Sequence, residues 1–340
     1  MSSQPLRAGI AGYGLAGRYF HAPFLRAAGF EVVGATTSNP ERIGHLKEDF
    51  PEAIAYASID ELLAQNLDLL VVASANVAHA SEAIAGLRAG VAVVVDKPMG
   101  RNFVEAKSIA DVAHETGGLL TTFFNRRWDS DALTIKKAIK EGLLGNIFRI
   151  DSRFERFREE ANPQSWRERS SAADGGGNLL DLQPHLISLA LDWFGPATLA
   201  YSSVRSIRGL SDDDVVIVLR HASGVDSYLS ASAIVGAPGP RIRLMGSKGA
   251  LVITDLDKQE PLLRQGIHPG QGGWTVDTTT PAQFYRGDEI VDYPAEPGDY
   301  TQFYLQVARA IRGEDVMPVS VEDALEVARL VDEAREKSIR

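Results

Sequence analysis

The chain has 340 residues, 44% of them hydrophobic and 24% charged, with a formal net charge of −10 and no cysteine. That length suggests two domains with ample core, and the acidity argues against nucleic acid or an anionic membrane as a partner. The missing cysteines remove disulfides, thiolate nucleophiles and cysteine-held zinc together and fit a reducing cytoplasm. No apolar run approaches the ~20 residues that span a bilayer, and the stretch before the first strand is too short and polar for a signal peptide.

Residues 7 to 124 alternate short apolar runs with helical patterns. Arg7–Ala11, Glu31–Thr36, Leu67–Ala73, Val91–Val95 and Leu119–Phe123 read as strands, and Gly17–Ala28, Ser58–Gln65 and His79–Ala89 as helices. Ser58 with Glu61 makes a capping box, and Gly90 sits where a helix should stop. Near-continuous apolar strands alternating with helices predict a parallel sheet covered on both faces. Gly12-Tyr13-Gly14-Leu15-Ala16-Gly17 falls in the first strand-to-helix turn. There Gly12 permits the tight turn, Gly14 admits a pyrophosphate against the backbone, and Gly17 lets helix and strand pack closely. The helix N-terminus then faces the phosphates.

After the second strand the chain reads Ala35-Thr36-Thr37-Ser38-Asn39-Pro40-Glu41-Arg42, with no carboxylate at the strand end to hold a ribose 2′-hydroxyl. Thr37, Ser38 and Arg42 are instead suited to a 2′-phosphate, so the expected cofactor is NADP, with NAD as the alternative. Ser74, Asn76 and His79, after the strand Leu67–Ala73, are expected beside the cofactor. Asp96-Lys97-Pro98 follows the apolar run Val91–Val95 at the carboxyl end of a strand, where open α/β sheets bind ligands. A lysine there can hydrogen-bond a substrate hydroxyl and stabilise a developing alkoxide, with Asp96 holding it.

Beyond residue 124 the pattern becomes α+β. A helix (Asp129–Glu141) precedes a long strand (Ile147–Arg158), a Gly-rich turn and a helix (Asp181–Phe194). Strands Thr198–Ile207, Val215–Arg220, Val225–Ala233, Ile242–Met245 and Leu251–Thr254 follow, joined by hairpin-like turns. This half reads as a mostly antiparallel sheet with helices on one face. Residues 257 to 299, rich in proline and glycine, read as a long irregular excursion, and helices Tyr300–Arg312 and Val321–Lys337 close the chain. Asp181 and His185, four apart, are expected to share a helix face as proton-transfer groups. No further His or Cys cluster accompanies them, so no metal is expected. Along Ile147–Arg158, Phe148, Ile150, Ser152, Phe154, Arg156 and Arg158 share one alternating face. An arginine on a core-directed face needs a polar partner, so Arg156 either meets a polar group there, a substrate hydroxyl being the candidate, or is solvated where the strand passes the edge of its covering helix.

The motifs Gly12–Gly17, Asp96-Lys97-Pro98 and Gly175-Gly176-Gly177…Asp181…His185, in this order, resemble the glucose–fructose oxidoreductase/inositol dehydrogenase/MocA family over essentially the whole chain; Asp96 stands where glutamate is usual. The run from Gly12 to Pro23 and Asn125-Arg126-Arg127-Trp128-Asp129 look like the NADP-dependent scyllo-inositol dehydrogenase subgroup, which commonly has arginine where this chain has Asn39. The resemblance implies a Rossmann domain over residues 1–124 and a substrate and oligomerisation domain over 125–319. It further implies a last helix, 320–340, packed back on the Rossmann domain, and homodimers or homotetramers formed through the second sheet. Lys97, Asp181 and His185 would be catalytic, Trp166 and Arg167 would lie against the cofactor, and Asn125 and Arg127 would join Arg156 around the substrate. The implied activity is NAD(P)-dependent dehydrogenation of a secondary hydroxyl on a cyclic polyol or sugar. The alternatives are a non-catalytic dinucleotide-binding regulator and an NAD-dependent glycoside hydrolase of the same fold.

Overall fold

The computed structural model describes residues 4–162, 164–171, 175–271, 274 and 279–338. It divides into two compact units. The first comprises Met1–Phe124, Glu260–Val276 and Tyr300–Leu325, the second Asn125–Gln259, Asp277–Asp299 and Glu326–Arg340. None of the described helices is long and apolar enough to cross a membrane.

In the first unit β1 (Arg7–Ala11), β2 (Glu31–Thr36), β3 (Ile54–Tyr56), β4 (Leu69–Val72), β5 (Ala92–Asp96) and β6 (Leu120–Phe123) form a parallel sheet in the order β3-β2-β1-β4-β5-β6. The central strands are buried along their length because helices cover both faces. The strand order reverses between β1 and β4, which opens a crevice at the carboxyl edge. Ser58 caps the helix Ile59–Leu63 as expected, while the Glu61 carboxylate reaches back to the Ala57 N–H at 3.0 Å.

The first helix departs from its expected form. Ala16–His21 is a π-turn that runs into the helix Ala22–Ala27. Pro23 has no N–H to give the carbonyl four residues back, and its ring crowds that carbonyl; a wider turn relieves both. The helix Thr301–Ile311 packs into this unit, with Phe303 and Tyr304 against Phe123 at ring separations of 4.9 and 5.8 Å.

The second unit holds β7 (Ile147–Glu155), β8 (Ala197–Arg205), β9 (Asp214–His221), β10 (Asp226–Ser232), β11 (Ile242–Gly246), β12 (Gly249–Ile253), β13 (Ala282–Arg286) and β14 (Glu289–Tyr293). Their order is β14-β13-β12-β11-β7-β10-β9-β8, and only the β7–β10 pairing is parallel. Helices Ser130–Lys140 and Gln183–Phe194 cover one face. Ile135 and Leu189 pack there with Ile150, Leu244 and Leu251 of the sheet. On the other face Asp151 is fully buried among Arg149 (2.7 Å), Arg153 (3.0 Å) and Arg243 (2.8 Å). Burial would raise its carboxyl, but the three guanidinium groups hold it below the ordinary carboxylate range.

Two expectations for this half are corrected. Residues 257 to 299 are not irregular throughout: they contain the helix Gln259–Arg264 and the β13–β14 hairpin, turned by Gly287-Asp288 with Gly287 at φ +63°. The expected helix Asp181–Phe194 is two helices, Asn178–Asp181 and Gln183–Phe194, broken at Leu182 (φ −111°). Pro184 is tolerated only in a first turn, so the longer helix starts just before it and Asp181 belongs to the helix ahead. The last helix, Val321–Glu336, meets β8 near its end: the Ser202 hydroxyl donates to the Ala334 carbonyl at 2.9 Å.

Candidate functional site

The turn after β1 is shaped by contact with its own backbone. Gly12 has φ +91°, and a Cβ there would stand 2.9 Å from the Ala73 carbonyl oxygen; a Cβ on Gly17 would overlap the Gly12 carbonyl. Gly14 is different. A Cβ there would meet nothing nearer than the Arg42 guanidinium, at 3.7 Å. The protein's own packing therefore needs glycine at positions 12 and 17, while the room over Gly14 is bordered by a cation, which fits a pyrophosphate. The Gly12 N–H donates to the Thr36 hydroxyl at 3.0 Å and ties the ends of β1 and β2 together. Tyr13 turns its side chain inward to Asp49 (2.9 Å), so only its backbone is left for a ligand. Burial, then Asp49, push its phenol well up. Leu15 is exposed and Ala16 partly so.

At the end of β2, Asn39 caps the helix Pro40–Asp49 by accepting the Arg42 N–H at 3.2 Å, and the Thr37 hydroxyl accepts the Asn39 N–H at 3.3 Å. The cap sets Arg42 in the first turn of that helix, which is how its guanidinium reaches Gly14. Ser38 and Arg42 are exposed.

The loops after β4 and β5 are joined by His79, whose Nδ1 lies 2.9 Å from the Pro98 carbonyl and whose Nε2 lies 3.3 Å from the Ser74 carbonyl. The Ser74 hydroxyl donates to Glu82 at 2.5 Å, and burial raises the Glu82 carboxyl. Asn76 opens a short 3₁₀ turn, Asn76–Ala78. Asp96 ends β5 and accepts the Lys97 N–H at 2.8 Å, and the Lys97–Pro98 bond is cis. Burial would raise the Asp96 carboxyl, yet His21 and Lys97 hold it below the ordinary range. His21 is fully buried, its Nε2 3.8 Å from Asp96 Oδ1.

In the second unit, His185 is buried in the first turn of its helix, and the Phe154 ring lies edge-on at 6.4 Å. The Arg241 guanidinium stacks on that ring at 4.1 Å and Arg126 at 5.3 Å. Asp181 ends the preceding helix, and Arg156, exposed just past β7, lies within electrostatic range of it. Asn125 and Arg127 are buried in the turn Asn125–Trp128. Arg127 Nε donates to Ser188 Oγ at 2.9 Å and Nη1 lies 3.7 Å from Asp192, both on the His185 helix. Trp166 and Arg167 begin a short helix, Trp166–Arg169, and their side chains lie outside the described set.

Sequence reasoning missed Asp212. Its Oδ1 accepts the Leu179 N–H at 2.7 Å and caps the helix bearing Asp181. Burial pushes its carboxyl up against that hydrogen bond, and a Cβ on Gly177 would overlap its other oxygen. The available signal was the run Asp212-Asp213-Asp214, in which Asp213 accepts the Ile207 and Arg208 N–H groups and Asp214 pairs with Arg205.

Residues 6–124 match the family description "Oxidoreductase family, NAD-binding Rossmann fold", and residues 136–339 match "Oxidoreductase family, C-terminal alpha/beta domain", the two parts of GFO/IDH/MocA. Among curated proteins, the scyllo-inositol 2-dehydrogenase (NADP(+)) IolW of Bacillus subtilis is 31% identical, over 98% of this chain and 94% of that protein. The Escherichia coli oxidoreductase YdgJ is 31% identical, over 97% and 95%. The solved structure of the Bacillus subtilis oxidoreductase yvaA superposes with a TM-score of 0.88 at 30% identity, covering 98% of this chain and 97% of that one.

Proposed function

The chain belongs to the GFO/IDH/MocA oxidoreductase family and has its NAD(P)-binding Rossmann domain, and from that premise we propose that it moves hydride between NADP and a secondary hydroxyl of a cyclic polyol or sugar of the scyllo-inositol type. The observation that carries this reading is Lys97. It follows an ionised Asp96 at the carboxyl edge of the sheet whose first turn forms the phosphate loop. The name of the IolW relative supports both the polyol and the phosphate-bearing cofactor.

The first unit serves the dinucleotide and the second the substrate. The loop Gly12–Gly17 would receive the pyrophosphate, Thr37, Ser38 and Arg42 the 2′-phosphate, and Ser74, Asn76, His79, Trp166 and Arg167 the rest. Held there, the cofactor would supply the hydride acceptor for oxidation and the hydride donor for reduction. Lys97 hydrogen-bonds the substrate oxygen and stabilises the negative charge that grows on it. His185 removes the hydroxyl proton, and Asp181 orients it. Arg156 hydrogen-bonds a second substrate hydroxyl, with Asn125 and Arg127 bordering the same ligand. In solution the chain forms homodimers or homotetramers through its second sheet.

The test is a panel of inositols, aldoses and keto-sugars with NADP and NAD, followed at the reduced-nicotinamide absorbance. Turnover of a cyclic polyol with NADP is expected; no turnover of any member with either cofactor overturns the reading. Arg42→Ala should raise KM for NADP roughly tenfold more than KM for NAD, the range expected for a lost charge-assisted hydrogen bond. Equal changes would remove Arg42 from the 2′-phosphate.

A further inference from the structure

Beneath the loop that bears Lys97, the first unit buries a line of polar groups that ends at Asp96 and includes two, His21 and Tyr304, for which the proposed chemistry has no use. Tyr304 and His21 are both fully buried, and Tyr304 Oη lies 2.6 Å from His21 Nδ1. On the far side of the imidazole, Nε2 faces Asp96 Oδ1 at 3.8 Å, and that oxygen accepts the Lys97 N–H at 2.8 Å. The Phe123 ring closes on the imidazole at 4.4 Å. Three elements distant in sequence, the π-turn Ala16–His21, the end of β5 and the helix Thr301–Ile311, each supply one member.

The order of donors follows from electrostatics. Burial, then Asp96, hold the Tyr304 phenol well above its ordinary range, so it keeps its proton. A neutral imidazole has one N–H. If Nδ1 carried it, the Nε2 lone pair would point at a carboxylate in a buried setting. The favoured arrangement has the Tyr304 hydroxyl donating to Nδ1 and the Nε2–H directed at Asp96, at a separation where the attraction is electrostatic rather than a hydrogen bond.

We propose that Tyr304 and His21 are positioning residues for Lys97: the hydroxyl orients the imidazole, and the imidazole holds the Asp96 carboxylate in the ionised state and rotamer that fix the start of the Lys97 loop. This rests on the proposed role of Lys97 at the substrate oxygen. Lys97 and His79 act on Asp96 from the loop after β5 and from the helix His79–Arg88. Arg18, one turn before His21, is paired with Asp49 at 2.8 Å and Glu48 at 3.0 Å.

The test has one readout that needs no turnover. In protein labelled with ¹³C-aspartate, the Asp96 carboxyl carbon should titrate at higher pH in His21→Phe than in wild type, by about one pH unit, because the ring N–H directed at it no longer favours the anion. With turnover, the acid limb of kcat should move the same way. The kcat plateau should fall about tenfold, as for a displaced catalytic group, while KM for NADP stays within about twofold. His21→Gln, which retains an N–H at similar reach, should restore most of kcat. Tyr304→Phe removes a single oxygen from the core and should give the same shifts in smaller measure, which covers the case in which His21→Phe does not fold. An Asp96 titration unchanged in both variants overturns the relay. A shifted titration in a protein that turns over no polyol leaves the relay standing and overturns the proposed substrate instead.

Discussion

Lys97→Ala is expected to lower kcat on the order of 10²-fold or more while the protein still binds NADP with near-native affinity. The size follows from when the interaction is made. A lysine that touches only the substrate oxygen gains most as that oxygen becomes an alkoxide, so its loss falls on the transition state more than on the bound ground state. The phosphate loop, the Asn39 cap and Arg42 are all intact in the variant, so cofactor affinity has no reason to change. Steady-state kinetics with a turned-over polyol, paired with a fluorescence titration of NADPH, separates the two quantities. Near-native turnover would remove Lys97 from the mechanism, and a parallel loss of NADPH binding would make it a cofactor residue instead.

The second large effect is on stability. In Asp131→Ala the second unit should lose about 3–5 kcal/mol, the cost of breaking a buried ion pair by removing one partner. Arg241 Nε lies 3.0 Å from Asp131 Oδ2, and the two side chains are 1% and 0% exposed. Arg241 also donates to Ser152 Oγ at 2.8 Å and stacks on Phe154, the ring beside His185. Truncating the aspartate takes a buried counter-charge from that guanidinium, whereas the double variant Asp131→Leu with Arg241→Met removes both charges and should recover much of the loss. Denaturant midpoints of the three proteins decide it. A loss under about 1 kcal/mol in the single variant would show that the pair behaves like one at the surface.

Much of the first unit was legible in the sequence because its signals are local. β1 and β2 have the ends expected from their apolar runs, and the glycine spacing fell in the correct turn. β3 went unseen because three residues make no period. The β13–β14 hairpin was hidden by the surrounding proline and glycine, although Gly287-Asp288 between alternating runs is itself a hairpin signal. Asp181 and His185 were placed on one helix because spacing alone cannot show the break at Leu182 that Pro184 imposes. His21 falls inside the helix expected over Gly17–Ala28, a position that by itself does not show what the imidazole meets. Its partner Tyr304 lies 283 positions away, and no local pattern reports a contact of that separation.

The π-turn at Ala16–His21 bears on how length changes in this region should be read. Each residue of a helix advances the side-chain direction by about 100°, and a π-turn is an α-turn with one residue added. Removing one residue between Ala16 and Tyr19 would restore the ordinary winding with little change in the direction of His21, because the wide turn already absorbs one residue; winding the present sequence as an ordinary helix would instead turn His21 by about that angle, away from Asp96, with every amino acid of the relay still in the chain. The element is therefore protected by spacing as much as by residue identity. A comparison of relatives that scores only which residues match would miss such a change of winding.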